Sequence, residues 1–358
     1  MFLVAFGLIM LYSTSAYEAN LDFGDSAYYF KHQLFPTLLG LVVMIAASYF
    51  PYKVLARFAM PIYIFAAALL VLIIPFGKTI NGAKRWIVIM GISIQPAEVA
   101  KVATVVFTAT MIVRLKKNLV TPKGFGTALL FPTILAGMVY IITRNLSSAI
   151  IIMGITMLML FVSTPGYKLY VLAASGVLGF AALLVFIISN SKQTSGMNFR
   201  FERVLAWLDP AAYASGKGFQ TLQALYAIGS GGIFGKGLGE SMQKMGFIPE
   251  AQNDMIFSII CEELGLFGAI AVMLMFILLI WRLMVIANNA PDMFSALLVI
   301  GVMGHIAIQV VLNIAVVTNT IPNTGITLPF ISYGGSAVII QLAEIGIALN
   351  VARNIGRE

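Results

Sequence analysis

The chain has 358 residues, 60% of them hydrophobic and 10% charged, and its mean hydropathy is +0.96. This composition excludes a soluble globule with a polar surface and predicts a polytopic membrane protein. Lysine and arginine outnumber the acids by 22 to 14, and we attribute this excess mainly to membrane topology and predict no nucleic-acid partner.

Ten apolar segments are candidates for crossing a bilayer, whose hydrocarbon core takes about 20 residues of helix. They centre on residues 1–12, 33–50, 57–75, 96–113, 125–142, 147–163, 168–188, 255–286, 294–318 and 335–352. The sequence therefore predicts an all-α integral membrane protein, a single membrane domain over 1–358 with about ten transmembrane helices. The first run lacks the basic start of a signal peptide, so we interpret it as a helix.

The distribution of basic residues predicts the orientation of these helices. With the N-terminus in the cytoplasm, the inner short loops and the tail carry ten Lys and Arg residues, and the outer short loops carry five. The positive-inside rule then places both termini in the cytoplasm. Three connections fall on the outer face: an interfacial loop at 76–95, a large extracytoplasmic loop at 189–253 between helices 7 and 8, and a loop at 323–334 between helices 9 and 10.

Several cationic side chains lie on this predicted outer face. Lys84 and Arg85 stand in the first loop, and Arg200 and Arg203 lie three residues apart in the large loop, on one side of a helical turn. Guanidinium and ammonium groups in such positions bind phosphate or carboxylate, or they simply form a solvated edge of the protein. Both interpretations stay open at this point.

Charged and polar residues inside apolar helices are costly unless they have partners. Glu98 and Lys101 lie three residues apart on one helix face, which indicates either a structural ion pair or a pair that lines a site. Four further polar residues are interpreted as interhelical hydrogen-bond partners: His305, Gln309, Asn313 and Glu344.

A glycine-rich stretch occupies residues 229–239, where six of eleven positions are glycine. It is not a nucleotide-binding P-loop, because Gly237 stands where the motif needs serine or threonine after Gly235-Lys236. The glycines allow either close backbone approach to a ligand or a re-entrant segment packed within the protein.

Asp254 follows this stretch, immediately before an apolar helix. An acid at that point is either a helix cap or a working group. Phe257 occupies the position at which a reciprocal capping box would have glutamate or glutamine, which weakens the capping interpretation. Glu262 and Glu263, about two turns into the helix, have no partner visible in the sequence, and we expect one of them to pair with a cation from another helix.

The sequence predicts no metal centre and no catalytic triad. The single cysteine and two histidines form no cluster with metal-ligand spacing, and they do not allow a Ser-His-Asp set. No cofactor is predicted apart from an optional divalent cation such as Mg²⁺.

Four stretches carry a family resemblance, and they run in order through essentially the whole chain. They read NGAKRWIVIMGISIQPAEVAK, RFERVLAWLDP, QALYAIGSGGIFGKGLGES with FIPEAQNDMIFSIICEELGLFG, and NTGITLPFISYGGS. Together they resemble the shape, elongation, division and sporulation family, in particular its rod-shape members.

The resemblance implies ten transmembrane helices and an enzyme that polymerises lipid II into glycan strands at the outer face of the bacterial cytoplasmic membrane during cell elongation. It also implies a class B penicillin-binding protein and other membrane proteins of the elongation complex as partners. By position, Asp254 matches the essential acid of the family. Other positions that match family motifs are Glu98, Lys101, Arg200, Arg203 and Pro210.

One turn departs from the family pattern. Residues 143–148 read Thr-Arg-Asn-Leu-Ser-Ser, whereas the family has a turn similar to Gln-Pro-Asp-Leu-Gly-Thr. The aspartate of the family turn is absent from this chain, so its role cannot be assigned here.

The implied reaction needs a base for the attacking sugar hydroxyl and positive charge for the leaving pyrophosphate. We expect Asp254 to be the base. The candidates for the positive charge are Lys84, Arg85, Lys101, Arg200 and Arg203. Two other functions stay open, a lipid II flippase and a non-catalytic scaffold of the cell-wall synthesis complex.

Overall fold

A computed structural model describes residues 1–80, 83–89, 92–190, 199–216 and 218–356. The described α-helices are α1 Phe2–Phe23, α2 Tyr28–Tyr49, α3 Tyr52–Arg57, α4 Ala59–Phe76, α5 Pro96–Leu115, α6 Pro122–Thr143, α7 Leu146–Ser163, α8 Lys168–Asn190, α9 Phe199–Leu208, α10 Phe219–Gly231, α11 Ile256–Asn288, α12 Met293–Val317 and α13 Gly335–Asn354. The strands are β1 Lys78–Ile80, β2 Ala83–Ile89 and β3 Ile92–Ile94.

The helices confirm a polytopic membrane protein. Within the described ranges, nine helices are long and apolar enough to cross a membrane: α1, α2, α4, α5, α6, α7, α11, α12 and α13. The tenth predicted segment is α8, a 23-residue apolar helix with Lys168 at its start. The first helix is longer than the apolar run that predicted it. In the part of the helix beyond that run, Ser15 Oγ donates to Leu11 O at 2.7 Å, which satisfies its hydroxyl group inside the helix.

The three strands form a small antiparallel sheet in the order β1-β2-β3, where the sequence predicted only an interfacial loop at 76–95. Isoleucine, valine and tryptophan dominate its central strand, and these residues favour extended backbone. The sheet precedes α5, the most deeply buried of the candidate spans. Its position beside the bundle core brings Arg85 close to the loops described below.

The large loop predicted at 189–253 lies partly outside the described residues, and its described part contains the two helices α9 and α10. After α10 the chain packs against α11, which breaks at Gly265, where φ is 66° and ψ is −163°. The break leaves helical carbonyls without their usual donors. Lys236 N donates to Glu262 O and Gly237 N donates to Glu263 O, both at 2.9 Å. Loop and helix are thus joined through their backbones.

The glycines permit this joining. Gly231 lies against the backbone of Cys261, and Gly235 lies against that of Glu263, so closely that a Cβ at either position would overlap the carbonyl group. Gly235 also has a φ of 80°, which favours glycine. Of the two interpretations of the glycine-rich stretch, the structure shows close packing within the protein.

Both Glu262 and Glu263 pair with a cation, and the two cations come from the loop after α10 and not from another helix as predicted. Glu262 Oε1 lies 2.6 Å from Lys236 Nζ, and Glu263 Oε1 lies 2.7 Å from Lys244 Nζ. Ser13 of α1 also donates to Glu263, at 2.8 Å. Both carboxylates are fully buried, and their pairing holds the loop onto α11 and α1.

Candidate active site

Asp254 lies two residues before the first residue of α11. The N-cap residue is Met255, and it makes no side-chain capping bond. Among the described residues, the Asp254 carboxylate accepts hydrogen bonds from its own backbone N–H and from Gln220 Nε2, the latter at 3.4 Å. The side chain is half-buried. Helix capping therefore does not account for an acid at this position.

The environment of Asp254 suits a base that works near neutral pH. Burial raises the pKa of Asp254 to about 6, and the neighbouring Glu250 carboxylate acts in the same direction. The bond from its own N–H, the charge of Arg203 and the bond from Gln220 lower the pKa and limit the rise. At pH 7 a group with this pKa is about nine-tenths ionised.

Asn313 of α12 fixes the backbone at Asp254. Its fully buried side-chain amide donates to Asp254 O at 2.8 Å and to Ile326 O at 2.6 Å. One turn earlier, Gln309 Nε2 donates to Thr327 O at 3.0 Å. Because these side chains lie on one face of α12, that helix holds both Asp254 and the 323–334 loop in place.

A pocket of about 240 Å³ adjoins this acid. Gln220 connects the pocket to Asp254, because it donates a hydrogen bond to the Asp254 carboxylate and also lines the pocket. Asn323 Nδ2 donates to Gln220 Oε1 at 3.0 Å, and Arg203 donates to Asn323 O at 3.1 Å. The lining residues are Arg203, Ala206, Trp207, Gly216, Phe219, Gln220, Thr221, Pro249 and Asn323.

Arg85 lies near Arg203. It donates to Thr143 O at 3.1 Å and to Arg144 O at 3.3 Å, at the end of α6. Burial lowers the pKa of Arg85, and the charge of Arg203 lowers it further. Arg203 lines the pocket and Arg85 does not, but an anion bound near Arg203 would also offset the repulsion between the two guanidinium groups.

The other predicted cations are placed differently. Lys84 is exposed and donates to Ile74 O at 2.7 Å, near the end of α4. Lys101 is 1% exposed and pairs with Glu98 at 2.7 Å, which matches the structural ion pair that the sequence allowed. Neither lysine lines the pocket. Arg200 lies in α9, and its side chain is outside the part of the chain that the structure describes.

The divergent turn at 143–148 has a structural role. Asn145 Oδ1 accepts from Ser148 N at 3.0 Å and caps α7. Asparagine caps a helix about as well as aspartate, so the substitution preserves this contact. Ser147 donates to Thr324 O at 2.6 Å, which ties the turn to the 323–334 loop.

Three residues of the site have no role predicted from the sequence, although two of them, Trp207 and Asn323, lie in the stretches that carry the family resemblance. Gln220, Trp207 and Asn323 are ordinary polar or aromatic residues of a loop region, and only the packing of α9 and α10 against 319–325 brings them together. The polar residues of α12 were recognised in the sequence as interhelical hydrogen-bond partners. The His305–Glu344 contact of 2.8 Å agrees with that interpretation.

Comparison with known proteins identifies the family. The family model described as cell cycle protein, which covers FtsW, RodA and SpoVE, matches residues 1–356. Stage V sporulation protein E of Bacillus subtilis is 37% identical over 355 residues, covering 98% of this chain and 94% of that protein. The probable peptidoglycan glycosyltransferase FtsW of Trichlorobacter lovleyi is 36% identical, covering 99% of this chain and 91% of that protein.

Solved structures show the same fold. A chain of a peptidoglycan synthase complex that coordinates polymerization and crosslinking aligns with a TM-score of 0.79 at 27% identity, covering 100% of this chain and 97% of that one. The rod shape determining protein RodA of Thermus thermophilus aligns with a TM-score of 0.69 at 24% identity, over 99% of this chain and 95% of that one. The chain therefore belongs to the FtsW, RodA and SpoVE family, the shape, elongation, division and sporulation family that its motifs resemble.

Proposed function

We propose that this protein is a peptidoglycan glycosyltransferase that polymerises lipid II, with Asp254 as the general base. Relatives of the same family carry the name peptidoglycan glycosyltransferase and align along nearly their whole length. The observation that carries the proposal is the half-buried Asp254 carboxylate, whose pKa is about 6 and which adjoins a pocket lined by Arg203.

In the proposed reaction, the 4-hydroxyl oxygen of an acceptor sugar attacks the anomeric carbon of the donor. The new carbon–oxygen bond forms as the bond to the lipid pyrophosphate breaks. Asp254 takes the hydroxyl proton, and the pyrophosphate leaves with the electron pair of the broken bond. Because the pyrophosphate is already a stable anion, no leaving-group acid is required. A single displacement with one base predicts inversion at the anomeric carbon, by analogy with inverting glycosidases.

Arg203 is the first candidate for stabilising the leaving pyrophosphate, and Arg85 is the second. A guanidinium that faces a pocket can bind phosphate oxygens through two parallel bonds. Lys84 and Lys101 are engaged elsewhere in this arrangement, and we assign them supporting roles at helix ends and in the core. The described residues hold no group of three His, Cys, Asp or Glu side chains suited to a metal. Participation of a divalent cation such as Mg²⁺ stays a prediction.

The basic-residue bias supports a topology with both termini in the cytoplasm and the Asp254 pocket on the outer face, where lipid II is consumed. A class B penicillin-binding protein is the proposed partner, supported by the resemblance to a chain of a synthase complex that couples polymerization to crosslinking. The involvement of other elongation-complex membrane proteins stays a prediction. So does the role in elongation, since the relatives at 36–37% identity are named for sporulation or as a probable peptidoglycan glycosyltransferase.

The test is polymerisation of purified lipid II by the purified protein, with no other glycosyltransferase present and with or without the transpeptidase partner. We expect glycan strands from the wild type. A scaffold would yield none under either condition. A flippase would yield none while moving lipid II headgroups across vesicle membranes loaded on one leaflet.

A further inference from the structure

The segment 232–247, which follows α10, carries an unusual share of exposed apolar side chains. We refer to it as the ledge. Six of its sixteen residues have large apolar side chains that are 42–80% exposed: Ile233, Phe234, Leu238, Met242, Met245 and Phe247. A water-facing loop of this length seldom exposes so much apolar surface without a partner.

The ledge is joined to a membrane-spanning helix. Leu266 N donates to Gly232 O at 3.0 Å and Phe267 N donates to Ile233 O at 3.3 Å. The Phe234 ring also packs on the Phe267 ring, with centroids 5.4 Å apart. The ledge therefore lies at the same depth as residues 262–267 of α11.

That depth can be estimated from the other end of α11. Trp281 and Arg282 are exposed near its far end, and such residues mark a membrane interface. A hydrocarbon core about 30 Å thick takes about 20 helical residues, and counting back from Arg282 reaches Glu262. The ledge thus lies where the hydrocarbon core meets the headgroups.

The charges within the ledge fit this position. Lys236 pairs with the fully buried Glu262, and Lys244 pairs with the fully buried Glu263. Both ammonium charges of the ledge are therefore balanced by carboxylates on the side that faces the protein. Glu240 stays exposed, as a headgroup-level residue can. The face turned away from the protein is chiefly apolar, and it continues the exposed apolar side of α11, which includes Leu266, Phe267, Ile270 and Leu274.

We propose that the ledge is an interfacial anchor whose apolar side chains insert among the acyl chains of the adjacent leaflet. Its occupant is bilayer lipid, because the ledge is continuous with the lipid-facing side of a spanning helix at the same depth. Insertion would hold the following residues, 249–254, at the level of the lipid headgroups. The inference stands on packing and depth and does not depend on the proposed reaction.

The test uses spin labels on the purified full-length protein in liposomes. In a Cys261→Ala background, Phe234→Cys and Leu238→Cys each carry a nitroxide on the ledge. Leu274→Cys, exposed along α11, is the lipid-facing control, and Ala212→Cys, exposed between α9 and α10, is the water-facing control. Collision with oxygen, which concentrates in the bilayer, is compared with collision with a water-soluble nickel chelate.

We expect both ledge labels to show oxygen-to-nickel accessibility ratios well above that of Ala212→Cys and approaching that of Leu274→Cys. Ratios equal to the Ala212→Cys value would place the ledge in water and overturn the proposal. Low accessibility to both reagents would show that protein, such as a second copy of the chain, covers the ledge, and would overturn it as well. Matching elution and thermal unfolding profiles confirm that each variant is folded, and either ledge position alone suffices for the comparison.

Discussion

The side-chain amide of Gln220 points its NH₂ group at the carboxylate of Asp254, with 3.4 Å between Nε2 and Oδ1. Its orientation is fixed because Oε1 accepts from Asn323 at 3.0 Å while Nε2 also donates to Pro249 O at 3.2 Å. A donor held in this way stabilises the ionised acid. Gln220 is therefore a positioning residue that connects the pocket to the proposed base.

The pH dependence of polymerisation should report this bond. If ionised Asp254 is the base, the wild-type rate falls as pH drops through about 6. Gln220→Leu removes a bond that lowers the pKa of Asp254, so the acid limb of the pH–rate profile moves to higher pH. Gln223→Leu, one turn further along α10, is the control and should keep the wild-type profile. Identical profiles for all three proteins would show that the bond has no influence on the reacting acid.

Arg203 should contribute to the stabilisation of the leaving group. Loss of a charge-stabilising group typically costs about 10²–10³-fold in kcat, and we expect this for Arg203→Ala. Arg203→Lys should recover part of the rate, because lysine keeps the charge but not the two-pronged geometry. Arg114→Ala, at an exposed guanidinium near the far end of α5, is the control. Polymerisation by Arg203→Ala within twofold of the control would contradict the assignment.

The Glu98–Lys101 pair should act on stability. Lys101→Met leaves a buried carboxylate without its cation, and breaking a buried pair costs about 3–5 kcal/mol of unfolding free energy. The double variant Glu98→Leu with Lys101→Met should recover most of that loss. Lys31→Met, which breaks the exposed pair with Asp25, is the control and should change stability little. Thermal unfolding in detergent measures the stability of the wild type and the three variants. Equal losses of stability for Lys101→Met and Lys31→Met would rule out a structural role for the buried pair.

Two glycines of α10 form a matched pair. A Cβ at Gly229 would meet open space, whereas one at Gly231 would collide with the Cys261 carbonyl. Gly229→Ala should therefore be neutral or stabilise the protein by about 0.5–1 kcal/mol, because alanine favours helix. Gly231→Ala should destabilise it by about 1–3 kcal/mol through overpacking. Equal melting temperatures for the two variants would show that the end of α10 does not pack against α11 as described.

Most of the architecture follows from local sequence, because each membrane helix needs a long apolar run and such runs are visible one at a time. The position of Asp254 is equally visible, at the junction of a polar loop and an apolar helix. The sheet of β1, β2 and β3 was not predicted, since its strands are short and their pairing is a tertiary property. The continuation of α1 past Ser13 likewise depends on partners elsewhere, including Glu263.

The other residues of the site are harder to predict from the sequence than Asp254. The sequence left five cations as equal candidates for stabilising the leaving pyrophosphate. Only packing distinguishes Arg203, which lines the pocket, from Lys84, which donates to a carbonyl near the end of α4. Gln220 and Asn323 are 103 residues apart, and no periodicity connects them. Capping was a fair alternative for Asp254 until the structure showed its carboxylate turned toward Gln220.

The most direct measurement compares Asp254→Asn with the wild type in polymerisation of purified lipid II, with the transpeptidase partner present in both reactions. Asparagine preserves the size of the side chain but cannot accept the proton, so we expect a loss of about 10²–10⁴-fold at unchanged thermal stability. Asp209→Asn, an exposed acid of the same large loop, is the control and should retain activity. A folded Asp254→Asn protein that makes glycan strands at nearly the wild-type rate would contradict the assignment of Asp254 as the base.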